Sequence, residues 1–157
     1  NVVPLFKSTY TYKGKVFAGD ILYAMPRNKK DELFYKEMYQ DSKYIKLKDH
    51  YGAYNTSEEL YKQSLKWLGS LGDKEIDVMI THIPPTYNKL SQHPPNTCYY
   101  VEVNTKNVKH WIFGHDHTRG RFEKNGTMFY TNSFGYPNEM FNPISYNVMG
   151  QLSTIVI

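Results

Sequence analysis

Apolar residues fall in short runs along the chain, separated by breaks rich in Gly, Pro and Asn. Residues 8–12 alternate polar and aromatic positions and read as a strand; Lys13-Gly14 is a turn signal; residues 15–23, with Val16, Phe17, Ile21, Leu22 and Tyr23, read as the returning strand. Pro26-Arg27-Asn28 interrupts this pattern. Asn28 is the predicted N-cap of a helix over about residues 30–40, whose apolar face uses Leu33, Phe34 and Met38. Residues 44–54 read as loop or short strand. Thr56-Ser57-Glu58-Glu59 has the form of a capping box, in which a Thr cap and a Glu three residues on satisfy each other's backbone donors. It opens a helix carrying Leu60, Tyr61, Leu65 and Leu68, ended by Gly69 and Gly72.

The second half of the chain is richer in strands. Residues 76–81 (I-D-V-M-I-T) form a short, β-branched, apolar run after a helix, the pattern of a buried strand. Pro84, Pro85, Pro94 and Pro95 make 83–97 a stiff irregular loop. Residues 98–103 are ambiguous between strand and helix. Residues 108–113 (V-K-H-W-I-F) are a second buried-strand candidate, ending at Gly114. Residues 120–122 and 127–132 flank Lys124-Asn125-Gly126, a hairpin signal because Asn-Gly tolerates positive φ. Residues 152–157 read as a final strand. The chain shows no repeat, low-complexity tract or linker, so the order implies one α/β or α+β layered unit.

Composition narrows the classes. With 157 residues, 40% hydrophobic and 16% aromatic, the chain has the size and apolar area of one folded domain. It has no run of about 18 apolar residues, the length of a membrane-spanning helix, and no charged-then-apolar leader opens it. The single cysteine, Cys98, excludes an internal disulfide framework and a cysteine zinc cluster, and fits a reducing compartment such as the cytoplasm. Cys98 is expected to be a buried small hydrophobe. The net charge of +4 permits an anionic substrate or nucleic acid without requiring either.

The candidate chemistry lies where the two buried strands end. The first runs into Thr81-His82-Ile83-Pro84-Pro85, the second into Gly114-His115-Asp116-His117. Ligands gather beyond the carboxyl ends of strands in open α/β sheets, so parallel neighbours would bring three imidazoles to one pole. In an extended segment residues i and i+2 point the same way, which aims His115 and His117 together and turns Asp116 aside. Gly114 would admit a close backbone approach. Neutral imidazole binds zinc, iron and manganese. A His-x-His alone is more often a surface pair; His82 at the end of a second buried strand raises the metal reading above that.

These segments resemble the calcineurin-like metallophosphoesterases. Gly114-His115-Asp116-His117 is similar to that family's G-H-x-H signature, Trp111-Ile112-Phe113 to the apolar strand before it, and Thr81-His82-Ile83-Pro84-Pro85 to its T-H-x-x-P segment. Asn132 with Gly135-Tyr136-Pro137-Asn138-Glu139 resembles the N-x-x-G-Y-P-x-E segment, and residues 8–23 resemble the strand pair between the family's halves. The resemblance implies a four-layer α-β-β-α sandwich, of which this chain holds the second sheet and its helices. It also implies a dinuclear site of manganese, iron or zinc that hydrolyses phosphate esters. His82 and His115 would ligate one metal and His117 the other.

The family's front-half motifs, D-x-H, G-D-x-x-D and G-N-H-E, do not occur. Gly19-Asp20 runs into Ile21-Leu22-Tyr23, and Gly72-Asp73 has its next Asp, Asp77, one place late. The bridging carboxylate, the asparagine ligand and the catalytic histidine are therefore missing from the pattern. Since Asn1 falls where the absent half would end, the favoured expectation is the C-terminal portion of a longer phosphoesterase. A split subunit whose partner chain supplies the other ligands comes next, and then a degenerate scaffold that binds proteins. A nuclease of the same superfamily rests only on the basic charge. His110 is read as structural, His93 as a solvated loop residue, and Arg119 and Arg121 as hairpin charges within reach of a phosphate.

Overall fold

The computed structural model describes residues 2–38, 53–91 and 95–133. Expectations for 44–52, for His93, for 135–139 and for 152–157 lie outside them, while Ala53 and Tyr54, read as loop or short strand, are helical. The described elements are β1 (Ser8–Tyr12), β2 (Lys15–Asp20), α1 (Lys29–Glu37), α2 (Ala53–Ser70), β3 (Ile76–Thr81), β4 (Val108–Phe113), β5 (Arg119–Lys124) and β6 (Thr127–Asn132). They build a mixed six-stranded sheet in the order β1-β2-β3-β4-β6-β5. Strands β2, β3, β4 and β6 are parallel neighbours, and each flank is an antiparallel hairpin. The hairpins turn at Lys13-Gly14 and Asn125-Gly126, where all four residues have φ between +48° and +80°. That pair of left-handed residues suits the right-handed twist of the strands they join.

Register divides the sheet into two unlike faces. Ala18 pairs with Met79, Met79 with Trp111 and Trp111 with Phe129, and all four are buried. Tyr61, Leu65 and Leu68 of α2 pack on this face, which forms the main core. The alternate register line runs Gly19, Ile80, Ile112, Tyr130. It is more open: Ile112 and Tyr130 are half-buried and Ile80 is 39% exposed. Leu5 lies against this second face at Gly19, whose missing Cβ would stand 2.7 Å from the Leu5 Cβ.

Two helix readings need correction. Asn28 does cap α1, accepting from the Asp31 amide, but Leu33 and Met38 are exposed while Asp31 and Tyr35 are buried. A polar contact sets the rotation: one Asp31 carboxylate oxygen accepts from the Thr97 amide at 3.0 Å and the Thr97 hydroxyl at 2.5 Å. The capping-box reading also fails. The longer helix begins at Ala53, so Thr56–Glu59 falls within it, and Gly69 is helical too; Gly72, at φ +58°, lies just beyond. Residues 95–105 form neither strand nor helix. No described helix is long and apolar enough to cross a membrane.

Candidate functional site

The parallel order of β3 and β4 places His82 and His115 just past adjacent carboxyl ends. The Gly114 amide donates to the His82 carbonyl at 3.0 Å, which extends the ladder one step beyond both strands. The two rings meet edge to face with centroids 4.9 Å apart, and Nδ1 of His115 lies 3.1 Å from Nε2 of His82. Two nitrogens on one metal at about 2.0–2.1 Å, at angles of about 90–110°, stand about 3 Å apart. The observed separation therefore fits shared ligation by the pair.

The electrostatics point the same way. Burial, with the nearby His82 and His117 rings adding to it, pushes the His115 pKa down from 6.5 to about 3. The imidazole is thus neutral at physiological pH and has one unprotonated ring nitrogen to offer a metal.

His117 is exposed. Among the described residues no group of three metal-ligating side chains closes on one point. The donors that the described residues bring together are therefore a pair of imidazoles.

The turn that carries His115 and His117 is not extended, contrary to the i, i+2 reading. His115 has φ +69° and His117 φ +53°. The Asp116 amide returns to the Gly114 carbonyl at 2.9 Å, which centres a γ-turn of the rare, positive-φ kind on His115. Left-handed non-glycine backbone of this type costs about 1–3 kcal/mol and persists only where its surroundings enforce it. The aim of His115 therefore comes from a strained turn, not from strand alternation.

Gly114 is not needed for the approach expected of it. A Cβ there would meet its nearest neighbours, Ser133 Oγ and two atoms of His82, at 3.5–3.8 Å, ordinary contact distances. Asp116 does turn aside. Its carboxylate accepts from the Asn88 side-chain amide at 2.6 Å and from the Thr118 hydroxyl at 2.8 Å. Tyr99, from the irregular segment between β3 and β4, stacks obliquely on His115 with centroids 5.6 Å apart.

Asp20, at the end of β2 and paired with Thr81, is buried with both carboxylate oxygens lacking hydrogen-bond partners among the described residues. Asn88 carried no sequence signal. Asp20 was visible only as the acid of a Gly-Asp pair that lacks the second Asp of the expected motif, within a strand read as running on to Tyr23.

The other singled-out residues fall as follows. His110 Nδ1 contacts the Tyr130 hydroxyl at 3.1 Å within the sheet. Arg119 donates to the Ser133 carbonyl at 3.0 Å, and Arg121 is exposed. Cys98 is buried and its thiol is pushed up to about 12 by burial and by the Asp31 charge. A cavity of about 460 Å³ lies away from the histidines, bordered by α2 and the amino ends of β3 and β4.

Residues 4–119 match the calcineurin-like phosphoesterase family. An uncharacterized protein, L509, of Acanthamoeba polyphaga mimivirus is 29% identical over 91 residues, 48% of this chain and 32% of that protein. The fold is similar to the crystal structure of a phosphopantetheinyl hydrolase from Mycobacterium tuberculosis, with a TM-score of 0.60 and 17% identity. That match covers 92% of this chain and 58% of the hydrolase. The chain thus spans about a third of the curated relative and little more than half of the solved one.

Proposed function

The chain belongs to the calcineurin-like phosphoesterase family, and on that footing we propose that it is the histidine-bearing, C-terminal portion of a metal-dependent phosphoesterase. The observation that carries this reading is the 3.1 Å approach of His82 and His115 at the carboxyl pole of the parallel strands. The open register line through Ile80, Ile112 and Tyr130 supports the partial-domain reading. Parallel sheets are normally covered on both faces, and the remaining sheet of the domain, in the same chain or a partner chain, would cover this one.

His82 and His115 would hold one divalent ion through Nε2 and Nδ1, and His117 a second. Manganese, iron and zinc all accept imidazole nitrogen. When bound, a metal pair lowers the pKa of a water and neutralises charge on a phosphate ester under attack. This chain's own task is to present unprotonated nitrogens. Burial keeps His115 neutral, and the Gly114–His82 backbone bond keeps both rings in register. Arg121 is exposed on the neighbouring hairpin strand and is available to a phosphate oxygen.

The test is metal content by elemental analysis of the full-length protein, with hydrolysis of a chromogenic phosphate ester measured in added Mn²⁺. Bound metal with activity, both lost in His115→Ala, is the expected result. Unchanged metal stoichiometry and turnover in that variant would remove His115 from the site.

A further inference from the structure

A γ-turn with positive φ at His115 needs something to hold it, and the surrounding hydrogen bonds identify what does. Asn88 lies in the loop that follows His82 and is 2% exposed. Its side-chain amide donates to Asp116 Oδ2 at 2.6 Å and to Thr118 Oγ1 at 2.6 Å. Its side-chain oxygen accepts from the Leu90 amide at 2.9 Å. The hydroxyl of Thr118 in turn donates to Asp116 Oδ1 at 2.8 Å. One buried amide thus bonds both residues that flank His117, and also closes its own loop. Leu90 adds a second anchor, because its Cδ1 occupies the space a Cβ on Gly120 would need, 2.7 Å away.

We propose that Asn88 is a positioning residue for the histidine centre, locking the 115–118 turn so that His115 faces His82 and His117 is set beside it. This deepens the metal-dependent reading above and rests on it. The chemistry is specific. A neutral side chain with two N–H groups must face a carboxylate and a hydroxyl at once, and asparagine supplies both donors in one plane. Without it, the Asp116 carboxylate loses a short charge-assisted bond and the turn loses its link to the His82 loop. The strain at His115 is then free to relax.

The experiment titrates the full-length protein with Co²⁺, read by visible absorption, and measures amide hydrogen exchange on the metal-free protein. Asn88→Ala should weaken Co²⁺ binding by about 10-fold, the low end of what losing an outer partner costs, because Asn88 bonds the residues beside the ligands and not a ligand itself. Exchange at the Asp116 and Thr118 amides should speed up while β3 amides and the melting temperature hold. The exchanged pair Asn88→Asp with Asp116→Asn should recover most of the affinity, since it restores the same bond with its direction reversed. Asn88→Asp alone sets two carboxylates face to face and should be worse than Asn88→Ala.

Unchanged Co²⁺ binding and unchanged turn exchange in Asn88→Ala would overturn the proposal. So would a loss of binding that only tracks a fall in melting temperature, or a paired exchange that recovers nothing. Should Asn88→Ala fail to fold, Thr118→Val removes one of the two acceptors and should give a smaller version of both effects; no effect in it counts against Asn88. Absence of Co²⁺ binding by the unaltered protein would instead defeat the metal reading, while the exchange result still decides whether Asn88 holds the turn.

Discussion

The indole N–H of Trp111 donates to the hydroxyl of Thr81 at 2.9 Å, tying β4 to β3 on the buried face one residue before His82. The same hydroxyl donates to the Ile83 carbonyl at 2.8 Å, so it fixes the backbone on the far side of that histidine. Trp111→Phe removes the donor and part of a buried ring and should cost about 1–3 kcal/mol. Thr81→Val should cost more, because the indole N–H and the Ile83 carbonyl would both be left buried without partners. Urea unfolding of the two variants gives the order; equal stability to the unaltered protein would show that the bond is incidental.

Two glycines near the pole should respond in opposite ways. Gly19→Ala would force a Cβ to within 2.7 Å of the Leu5 Cβ and 3.0 Å of its carbonyl oxygen, and backbone cannot yield as a side chain can. A loss of about 1–3 kcal/mol is expected, as for other overpacked sites. Gly114→Ala has room at every neighbour and should change stability by no more than about 0.5 kcal/mol. Thermal unfolding of both variants checks the contrast.

Acid should destabilise the metal-free protein through His115. Its folded pKa of about 3 lies below the 6.5 of the free side chain, so between those values the unfolded chain binds the extra proton. Stability therefore falls as pH drops from about 6.5 toward 3, with a slope approaching one proton per chain. His115→Gln should flatten that part of the profile. A pH–stability curve unaltered by the substitution would mean that the ring stays hydrated.

Helix α1 is docked by one carboxylate. Burial pushes the Asp31 pKa up, but hydrogen bonds from the Thr97 hydroxyl and amide and from Asn28, with the charge of Lys30, outweigh it and leave the group below its usual 3.8. The lowered pKa means that this contribution is full above about 3.8 and is lost as pH falls through the folded value. Asp31→Ala should cost about 2–3 kcal/mol, since these are hydrogen bonds to a charged group, and should speed amide exchange in α1 before the sheet opens. Asn28→Ala, which removes the cap and one of the hydrogen bonds to the Asp31 carboxylate, should cost about 1–2 kcal/mol.

Strands were more legible than helix faces. Residues 76–81 and 108–113 match β3 and β4 to the residue, because short, mostly apolar runs cut off by Pro84 and Gly114 leave little choice of extent. Asn125-Gly126 likewise announced its hairpin. The face of α1 was misread because the pattern weighs apolar side chains, whereas Asp31 is drawn inward by Thr97, a residue far along the chain. The 53–70 helix overran its apparent cap, since a local Thr–Glu signal does not forbid another turn upstream. At the site, the meeting of His82 and His115 followed from strand order. The turn at His115 did not, because its backbone is dictated by a tertiary bond from Asn88 that no local pattern encodes.

Strand order also sets a timetable. The flanking hairpins close over two-residue turns and form within microseconds. The middle ladders are different: Phe17 must find Val78, and Ile76 must find Val108. Long-range pairings of this sort are what slow the folding of sheet proteins. His82 and His115 straddle one of them, so the imidazole pair comes into being only when the parallel centre has zipped to its last rung. A refolding chain should regain its hairpins, and much of its helix, well before it regains that contact.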